Sequence, residues 1–238
     1  MIISMKNERP YTTLFLLVSV DGKISTGDTD IMDTDTDYKL INGIKEGNKQ
    51  YYDLEQQTDL HSLNSGRVFE KIGMNEKTDE PEKTPVSFIV VDNKPHLNKN
   101  GTTYLAKKSK TLYIITTNSN HPAFELKKDF PNIEILKYDN EIDLADALKK
   151  LKKDYGVDRI TIQTGGTINT SWVREGLIDR VLLVVAPALI GGKDTSTLMD
   201  GESLHTHEEL FNIKSLELVQ AKPLENSYLL LEYKVNNN

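Results

Sequence analysis

The chain has 238 residues, and its 36 acidic side chains outnumber its 29 basic ones, which gives a formal net charge of −7. With 37% hydrophobic residues, a chain of this length can bury a core without a disulfide or a metal to hold it. It contains no cysteine, which excludes disulfides, thiolate nucleophiles, iron–sulfur clusters and zinc sites with cysteine ligands. The acidic excess is spread along the chain and argues against a nucleic-acid binder, which needs clustered Lys and Arg.

The first ten residues carry Lys6, Glu8 and Arg9 and lack the apolar segment of a secretory signal. The sequence contains no apolar run of the length that spans a bilayer, about 18 residues. We therefore expect a cytoplasmic protein without membrane association.

Strands and helices are predicted to alternate along the chain. The aliphatic and β-branched run from Tyr11 to Ser19 predicts a buried strand that ends at the turn pair Asp21-Gly22. Apolar residues between Tyr38 and Leu54 have an imperfect helical spacing, with Gly43 and Gly47 inside it. The next predicted elements are a strand at residues 58–64, a helix from Val68, strands at Val86 to Val91 and Thr111 to Thr117, a short helix near Pro122 to Phe130 and a strand at Ile133 to Leu136.

The C-terminal part of the chain contains the clearest helix, at Asp143 to Tyr155, with its apolar residues on one face and Gly156 at its end. After it we expect a strand at Arg159 to Gln163, a helix at about Thr167 to Glu175, a strand at Ile178 to Ala186 covered on both faces, and β-rich segments at Phe211 to Gln220 and Ser227 to Val235. This order predicts one α/β domain over residues 1–238, with a mostly parallel sheet and an antiparallel C-terminal edge.

Two glycine turns join a predicted strand to a predicted helix. Gly165-Gly166 would let the backbone approach a ligand closely, and the free N–H groups of a helix start favour phosphate, although a simple tight turn is an equal alternative. Ser65-Gly66-Arg67 repeats the arrangement, and its Arg is either a ligand for a phosphate, such as the 2′-phosphate of NADPH, or only solvated. In an open α/β sheet such turns gather at the carboxyl ends of the strands, together with Asp21-Gly22.

Several other site classes lack their motif. The chain contains no G-x-G-x-x-G, no G-x-x-x-x-G-K-[ST] and no G-x-S-x-G. The acidic segment 28–37 does not fit an EF-hand, because Tyr38 and Ile44 stand where Gly and Glu are required, and its last Asp or Thr is expected to cap the next helix. His205 and His207 are more typical of an exposed loop than of a metal site, so no metal is predicted.

Three segments carry a combination of motifs that is specific when taken together. They are RPYTTLFLLVSVDGKIS (9–25), TDLHSLNSGR (58–67) and QTGGTINTSWVREGLIDRVLLVVAPALIGG (163–192). In order along residues 9–235, they resemble the riboflavin-biosynthesis reductase family. The resemblance implies a dihydrofolate-reductase-like three-layer α/β fold and an NADPH-dependent reduction of a ribosylamino-pyrimidine 5′-phosphate to its ribitylamino form, as in a 5-amino-6-(5-phosphoribosylamino)uracil reductase.

The resemblance also implies roles for individual residues. Asp21 and Lys23 would lie beside the nicotinamide and the substrate, with Lys23 as a substrate-side cation or proton donor unless it is only a solvated lysine. Gly27 and Thr29 would contact the substrate. The implied cofactor-binding residues are Ser65, Gly66, Arg67, Asn93, Gly165, Gly166, Thr167, Ile168 and Asn169.

Two positions depart from the family pattern. Gln163 stands where much of the family has a Glu that points at the substrate, and Arg67 stands where many relatives have a Thr. A Gln can hydrogen-bond the substrate but cannot act as a base, so either that Glu is not essential or the substrate differs.

The missing cysteines bear on the same resemblance, because in many bacteria the reductase is fused to a zinc deaminase with a P-C-x-x-C motif. We therefore expect a stand-alone reductase and, because relatives pair through their sheets, a homodimer. The alternatives are a paralogous NADPH-dependent reductase of another small carbonyl, imine or pterin, and a non-catalytic nucleotide-binding protein.

Overall fold

The computed structural model describes residues 8–94 and 96–237, which form two compact units. The first unit comprises Asp59–Thr164 and the N-terminal residues up to Tyr11, and the second comprises Thr12–Thr58 and the chain from Gly165 onward. Each unit has a hydrophobic core of its own. The single domain predicted over residues 1–238 stays a prediction.

Strands and helices alternate, as the sequence predicts. The strands are β1 Tyr11–Ser19, β2 His61–Ser65, β3 Ser87–Val91, β4 Leu112–Thr116, β5 Ile133–Lys137, β6 Arg159–Ile162, β7 Arg180–Ala186, β8 Ser215–Pro223 and β9 Leu229–Asn236. The α-helices are α1 Thr34–Asp37, α2 Lys49–Glu55, α3 Gly66–Lys71, α4 Lys99–Lys108, α5 Ala123–Leu126, α6 Leu144–Tyr155 and α7 Gly166–Arg174. Short 3₁₀ helices lie at Tyr38–Leu40, Met74–Glu76, His207–Asn212 and Glu225–Ser227.

In the first unit the strands lie in the order β5-β4-β3-β2-β6, and every neighbouring pair is parallel. Their carboxyl ends therefore meet at one edge, where α3 begins after β2. Phe69 of α3, Leu105 of α4 and Leu126 of α5 pack with Val90 and Ile114 of the strands to form the core of this unit.

In the second unit the order is β1-β7-β9-β8. β1 pairs with β7 in parallel, while β7 with β9 and β9 with β8 are antiparallel. Phe15 of β1 and Val184 of β7 share a buried cluster with Tyr38, Tyr51 and Tyr228. The predicted α/β class, with mostly parallel strands and an antiparallel C-terminal edge, is confirmed.

Local signals decide where prediction succeeds. Helix α6 has Asp143 as its N-cap, accepting from the amide of Asp146, and Gly156 at its end with φ 68°, so this prediction is confirmed. Helix α4 has no such clear signal in the sequence, because Gly101, Thr102 and Thr103 are weak helix formers, yet it forms with Asn98 as its cap.

Three expectations are wrong in detail. The segment from Tyr38 to Leu54 is not one helix, because Gly43 adopts φ 85° and ends the first turn before α2 begins. The residue of the acidic segment that caps a helix is Asp33, whose side chain accepts from the amide of Asp35. Strand β7 is buried only at Val181, Val184 and Ala186, and Leu182 and Leu183 are half-buried rather than covered.

The predicted β segment from Phe211 begins later than expected, because His207–Asn212 forms a 3₁₀ helix with a capping box between Thr206 and Glu209. Among the described residues, no helix combines the length and apolar character needed to cross a bilayer.

Candidate active site

Asp21 lies in the turn after β1, and its side chain hydrogen-bonds the segment after β7. Its carboxylate accepts hydrogen bonds from Ser19 Oγ (2.5 Å) and from the amides of Ile190 (3.2 Å) and Gly191 (2.6 Å). The bond from Ser19, followed by those from the two amides, lowers the pKa of Asp21 to about 2. The carboxylate is therefore ionised at neutral pH and holds the loop. A part for Asp21 in proton transfer stays a prediction, and the geometry favours a positioning role.

Lys23 is buried, with 8% of its surface exposed. Its Nζ donates to the carbonyl oxygens of Gly192 (2.7 Å) and Thr195 (2.8 Å). The alternative of a merely solvated lysine is therefore wrong. An ammonium group has three N–H donors. The described residues accept from two of those of Lys23, so the third is left to donate to a ligand. The role of Lys23 as a substrate-side cation stays a prediction.

Gly27 and Thr29 lie in the loop after this turn. A Cβ on Gly27 would lie 2.9 Å from Cγ of Met32, so the glycine lets Met32 pack against the loop. Thr29 is exposed, and none of the described residues hydrogen-bonds its hydroxyl. The hydroxyl is open to a ligand, while substrate contact by either residue stays a prediction.

Helix α7 begins without a side-chain cap. Its N-cap is Gly165, and the amides of Gly166, Thr167 and Ile168 belong to the first turn, where a helix supplies no acceptor. A Cβ on Gly165 would meet no described atom within 4 Å. This helix end is therefore an open, partly positive site that suits a phosphate group.

Gly166 meets different surroundings. A Cβ there would lie 2.3 Å from Oδ2 of Asp200 and 2.4 Å from the carbonyl oxygen of Thr197. The sequence predicts that both glycines let the backbone approach a ligand closely. For the Cα of Gly166 this explanation is wrong, because that atom packs against the chain itself. Contact of its amide with a cofactor stays a prediction.

A segment that the sequence prediction missed joins these two places. We call Thr195–Asp200 the bridging segment. Its Leu198 amide donates to the Gly22 carbonyl (2.9 Å), and its Asp200 amide donates to the Gly166 carbonyl (3.0 Å). The Asn169 side chain donates to the Leu198 carbonyl (2.9 Å), so this predicted cofactor ligand also holds the segment.

In the second unit, therefore, the predicted turn at Asp21 to Lys23 and the start of α7 are brought together. The signal that could have indicated the bridging segment is the Thr197 to Asp200 spacing, at which the Asp200 carboxylate accepts from the Thr197 amide (3.1 Å) and hydroxyl (2.7 Å).

The first unit carries the other glycine turn. Ser65 caps α3 by accepting from the amide of Val68 (3.3 Å), and Arg67 is exposed on the first turn of α3. The side chain of Asn93 accepts from the amide of Thr117 (2.9 Å) instead of standing free. The turn is well ordered by these contacts, and cofactor binding by Ser65, Arg67 and Asn93 stays a prediction.

Gly66 is required by a buried carboxylate that the sequence prediction missed. A Cβ on Gly66 would lie 2.3 Å from Cγ of Asp92, which directly follows β3. The Asp92 carboxylate accepts from the Leu97 amide (3.0 Å) and contacts ring nitrogens of His96 (3.0 Å) and His121 (3.2 Å). Burial raises the pKa of Asp92, but the hydrogen bonds from His121, Leu97 and His96 outweigh it and leave the pKa below its usual value.

The tautomer of His121 follows from its second contact. Its Nδ1 accepts from the amide of Ala123 (3.1 Å), so its Nε2 carries the proton and donates to Asp92. No group of three or more potential metal ligands occurs in the parts of the chain that the structure describes, and both His205 and His207 are exposed.

Gln163 follows β6 and is half-buried. Its Oε1 accepts from Ser62 Oγ (3.2 Å), which in turn lies 3.4 Å from Nδ2 of Asn64. The amide therefore belongs to a polar row along β2. No member of this row can act as a base at neutral pH, because each carries an amide or a hydroxyl.

The comparison with known families connects these features. The model of the RibD C-terminal domain matches residues 10–230. The chain belongs to the RibD C-terminal domain family. The motif-based resemblance is therefore confirmed at the level of the family.

Individual relatives of this RibD C-terminal domain protein agree in length as well. It is 26% identical over 235 residues to the 2,5-diamino-6-ribosylamino-4(3H)-pyrimidinone 5′-phosphate reductase of Methanothermobacter thermautotrophicus, which covers 95% of this chain and 99% of that protein. It is 25% identical over 205 residues to the protein of the same name from Archaeoglobus fulgidus, covering 82% of this chain and 88% of that one.

Solved structures share the fold. The RibD protein of Acinetobacter baumannii superposes with a TM-score of 0.65 at 15% identity, covering 99% of this chain, and this chain spans 60% of that protein. A pyrimidine reductase-like protein of Corynebacterium diphtheriae gives a TM-score of 0.61 at 14% identity, covering 100% of this chain and 96% of that one.

Proposed function

We propose that this chain is an NADPH-dependent reductase that converts a ribosylamino-pyrimidine 5′-phosphate to its ribitylamino form in riboflavin biosynthesis. The observation that carries the proposal is membership of the RibD C-terminal domain family together with a match to 99% of the Methanothermobacter reductase. Relatives of similar length are named for the 2,5-diamino-pyrimidinone, and we therefore propose the diamino compound as the substrate, before deamination.

The residues present fit a dinucleotide cofactor. The uncapped start of α7 offers the amides of Gly166, Thr167 and Ile168 to a diphosphate, and Gly165 leaves the approach open. Within the first unit, and considered by itself, the exposed Arg67 on the first turn of α3 is a guanidinium group suited to a 2′-phosphate. When bound, NADPH supplies the hydride that turns the ribosylamino group into the ribitylamino group.

The chain's own groups hold the substrate side in place. Asp21 and the bridging segment fix the turn that carries Lys23, and the remaining N–H of Lys23 is positioned to donate to an oxygen of the substrate. In the first unit, Gln163 is held by Ser62, and its side-chain amide can form hydrogen bonds but cannot transfer a proton.

Gln163 favours a second candidate, a paralogous NADPH-dependent reductase of another carbonyl, imine or pterin. The two candidates differ in substrate only. The purified protein is incubated with NADPH and the diamino ribosylamino-pyrimidinone phosphate, and the fall in NADPH absorbance is followed. Turnover supports the first candidate. NADPH binding without turnover of this compound, together with turnover of another carbonyl or imine compound, supports the second candidate. Failure to bind NADPH contradicts both candidates.

The assembly and compartment complete the proposal. All nine residues of β8 are exposed, including Leu216, Leu218 and Val219, and β8 pairs only with β9 among the described strands. An exposed apolar edge strand favours pairing with another chain, and we propose a homodimer formed through β8.

The proposed substrate is a charged phosphate ester that does not cross a bilayer unaided, and we therefore propose the cytoplasm as the compartment of this protein.

A further inference from the structure

The dipeptide Asn-Gly occurs twice in the chain, at Asn42-Gly43 and at Asn100-Gly101. In such a pair the backbone nitrogen of the glycine can attack Cγ of the asparagine side chain, because glycine has no side chain to block the approach. One pair lies in the turn before α2, and the other lies in α4. The surroundings of each pair therefore decide whether it can react.

The pair before α2 is open to this reaction. Both of its residues are exposed, and none of the described residues hydrogen-bonds the side chain of Asn42. Gly43 has φ 85°, and a Cβ placed on it would meet no described atom within 4 Å. The side chain of Asn42 can therefore turn toward the nitrogen of Gly43 without giving up a hydrogen bond to the described chain.

Glu46 places a base at the attacking nitrogen. The amide of Gly43 donates to Oε2 of Glu46 (2.8 Å). Glu46 is exposed and has no ion pair with a described residue. A carboxylate that accepts a hydrogen bond from an N–H is positioned to take its proton when that nitrogen attacks.

The pair in α4 is held in place instead. Nδ2 of Asn100 donates to the carbonyl oxygens of Asn75 (2.9 Å) and Lys77 (2.8 Å). Gly101 is buried, and its amide donates to Oδ1 of the N-cap residue Asn98 (2.9 Å). Reaction at this pair would break both hydrogen bonds of the Asn100 side chain and the cap of the helix.

We propose that Asn42 is a site of spontaneous deamidation in the folded protein, with Glu46 as the base. The nitrogen of Gly43 forms a bond to Cγ of Asn42 while its proton passes to the Glu46 carboxylate. The bond between Cγ and Nδ2 then breaks, and the leaving nitrogen takes that proton and departs as ammonia. The product is a five-membered succinimide ring.

Water completes the reaction by opening the ring at either of its carbonyl carbons. One opening leaves aspartate at position 42, and the other leaves isoaspartate, in which the main chain runs through the former side chain. The whole sequence consumes one water, releases one ammonia and needs no oxidant or reductant. Both products carry one more negative charge than the original chain.

The turn connects this site to the core of the second unit. The carbonyl of Ile41 accepts from the amides of Ile44 (3.2 Å) and Lys45 (2.9 Å). Ile44 is buried in a cluster with Tyr228, whose hydroxyl donates to the Ile44 carbonyl (2.9 Å). Isoaspartate adds one methylene to the main chain inside this turn, so the hydrogen bonds that close it lose their geometry. Aspartate adds charge but keeps the length of the main chain.

Mass spectrometry tests the proposal on the intact protein. The wild type is incubated in mildly alkaline buffer, and samples are digested with trypsin, which places the two pairs in separate peptides, residues 40–45 and 100–107. Peptide 40–45 is expected to gain about 1 Da at least about tenfold faster than peptide 100–107. In concentrated urea the two rates are expected to be similar, because the fold no longer separates the pairs. Equal rates in the folded protein, or no conversion of peptide 40–45, would overturn the proposal.

The part of Glu46 is tested by substitution. Glu46→Gln keeps the shape of the side chain but cannot take a proton, and it is expected to slow the conversion at Asn42 at least about threefold. Glu82→Gln, which removes the same charge from an exposed position in the first unit, is the control and is expected to leave the rate unchanged. An unchanged or faster conversion in Glu46→Gln would overturn the assignment of Glu46 as the base.

The effect on the turn is measured by unfolding. The products are separated from the unreacted protein by ion exchange, through their additional charge. This fraction is expected to unfold at a lower urea concentration than Asn42→Asp, which carries the same charge on a main chain of normal length. Equal urea midpoints would overturn the connection between Asn42 and the core.

Discussion

At the start of α7, two adjacent glycines meet opposite surroundings. Gly165 faces open space, while Gly166 packs against Asp200 and Thr197. The sequence predicts the turn because a Gly-Gly pair between a strand and a helix favours one. It cannot separate the two positions, because their difference comes from a segment about 30 residues further along the chain, brought there by hydrogen bonds to Gly22 and Gly166.

This contrast leads to a prediction for the two glycines. In Gly165→Ser the new hydroxyl caps α7 and competes with phosphate for its amides, so the Kd of NADPH is expected to rise about tenfold while the free energy of unfolding changes by only a few tenths of a kcal/mol. In Gly166→Ala the methyl group meets Asp200, and the free energy of unfolding is expected to fall by about 1–3 kcal/mol.

Urea unfolding and NADPH titration of both variants check this. A Gly165→Ser protein that binds NADPH as tightly as the wild type would show that the helix start is only a turn.

Asp21 gives a prediction for pH. Its pKa of about 2 in the fold lies below the value of about 3.9 for an unfolded Asp, so its contribution to stability is fully present above about pH 5 and is lost as the pH falls toward about 2. The difference in free energy of unfolding between the wild type and Asp21→Asn is therefore expected to be constant from about pH 5 to 8 and to shrink in acid. Denaturant unfolding at a series of pH values measures it, and a difference that grows in acid would contradict the assignment.

Among the elements, α6 and β1 were predictable because each carries its own signal, an amphipathic face with caps for α6 and an aliphatic run for β1. Helix α4 was not, because it depends on tertiary contacts. Leu105 packs in the core of the first unit, and Gly101 fits closely against Asn75. The Asp92 network was missed for the same reason, because its partner His121 comes from a separate turn 29 residues further along the chain.

The Asp92 network is expected to hold the turn between β2 and α3. Asp92→Asn puts an amide where the carboxylate accepted from His121 and the Leu97 amide, so the free energy of unfolding is expected to fall by roughly 2–4 kcal/mol. Asp129→Asn, at an exposed position, is the control and is expected to change it by less than about 0.5 kcal/mol. Similar urea midpoints for the two variants would argue against a structural role for the network.

For the whole molecule, the sequence predicted the α/β class and the order of the elements, since these follow from period and turn chemistry. It also predicted the positions of both glycine turns. It did not predict which side chains of the site face a ligand, because Lys23, Asn93 and Asn169 are engaged by loops whose conformation has no sequence period.

The exposed edge at β8 gives a prediction for assembly. The wild type is expected to have twice the mass of one chain in light scattering, and Leu218→Lys is expected to shift it to the monomer by placing a charge on the apolar edge. Gln220→Lys adds the same charge on the same strand without removing apolar surface, and is expected to leave a dimer. A monomeric wild type would contradict the homodimer.

The central claim is that this chain reduces the ribosylamino-pyrimidine phosphate with NADPH. The most direct test uses NADPH deuterated at the transferable position and mass spectrometry of the pyrimidine product. We expect one deuterium per ribitylamino product, located on the former anomeric carbon, and much less labelled product from Gly165→Ser than from the wild type at limiting cofactor. An unlabelled product, or no reduced product at saturating NADPH and substrate, would contradict it.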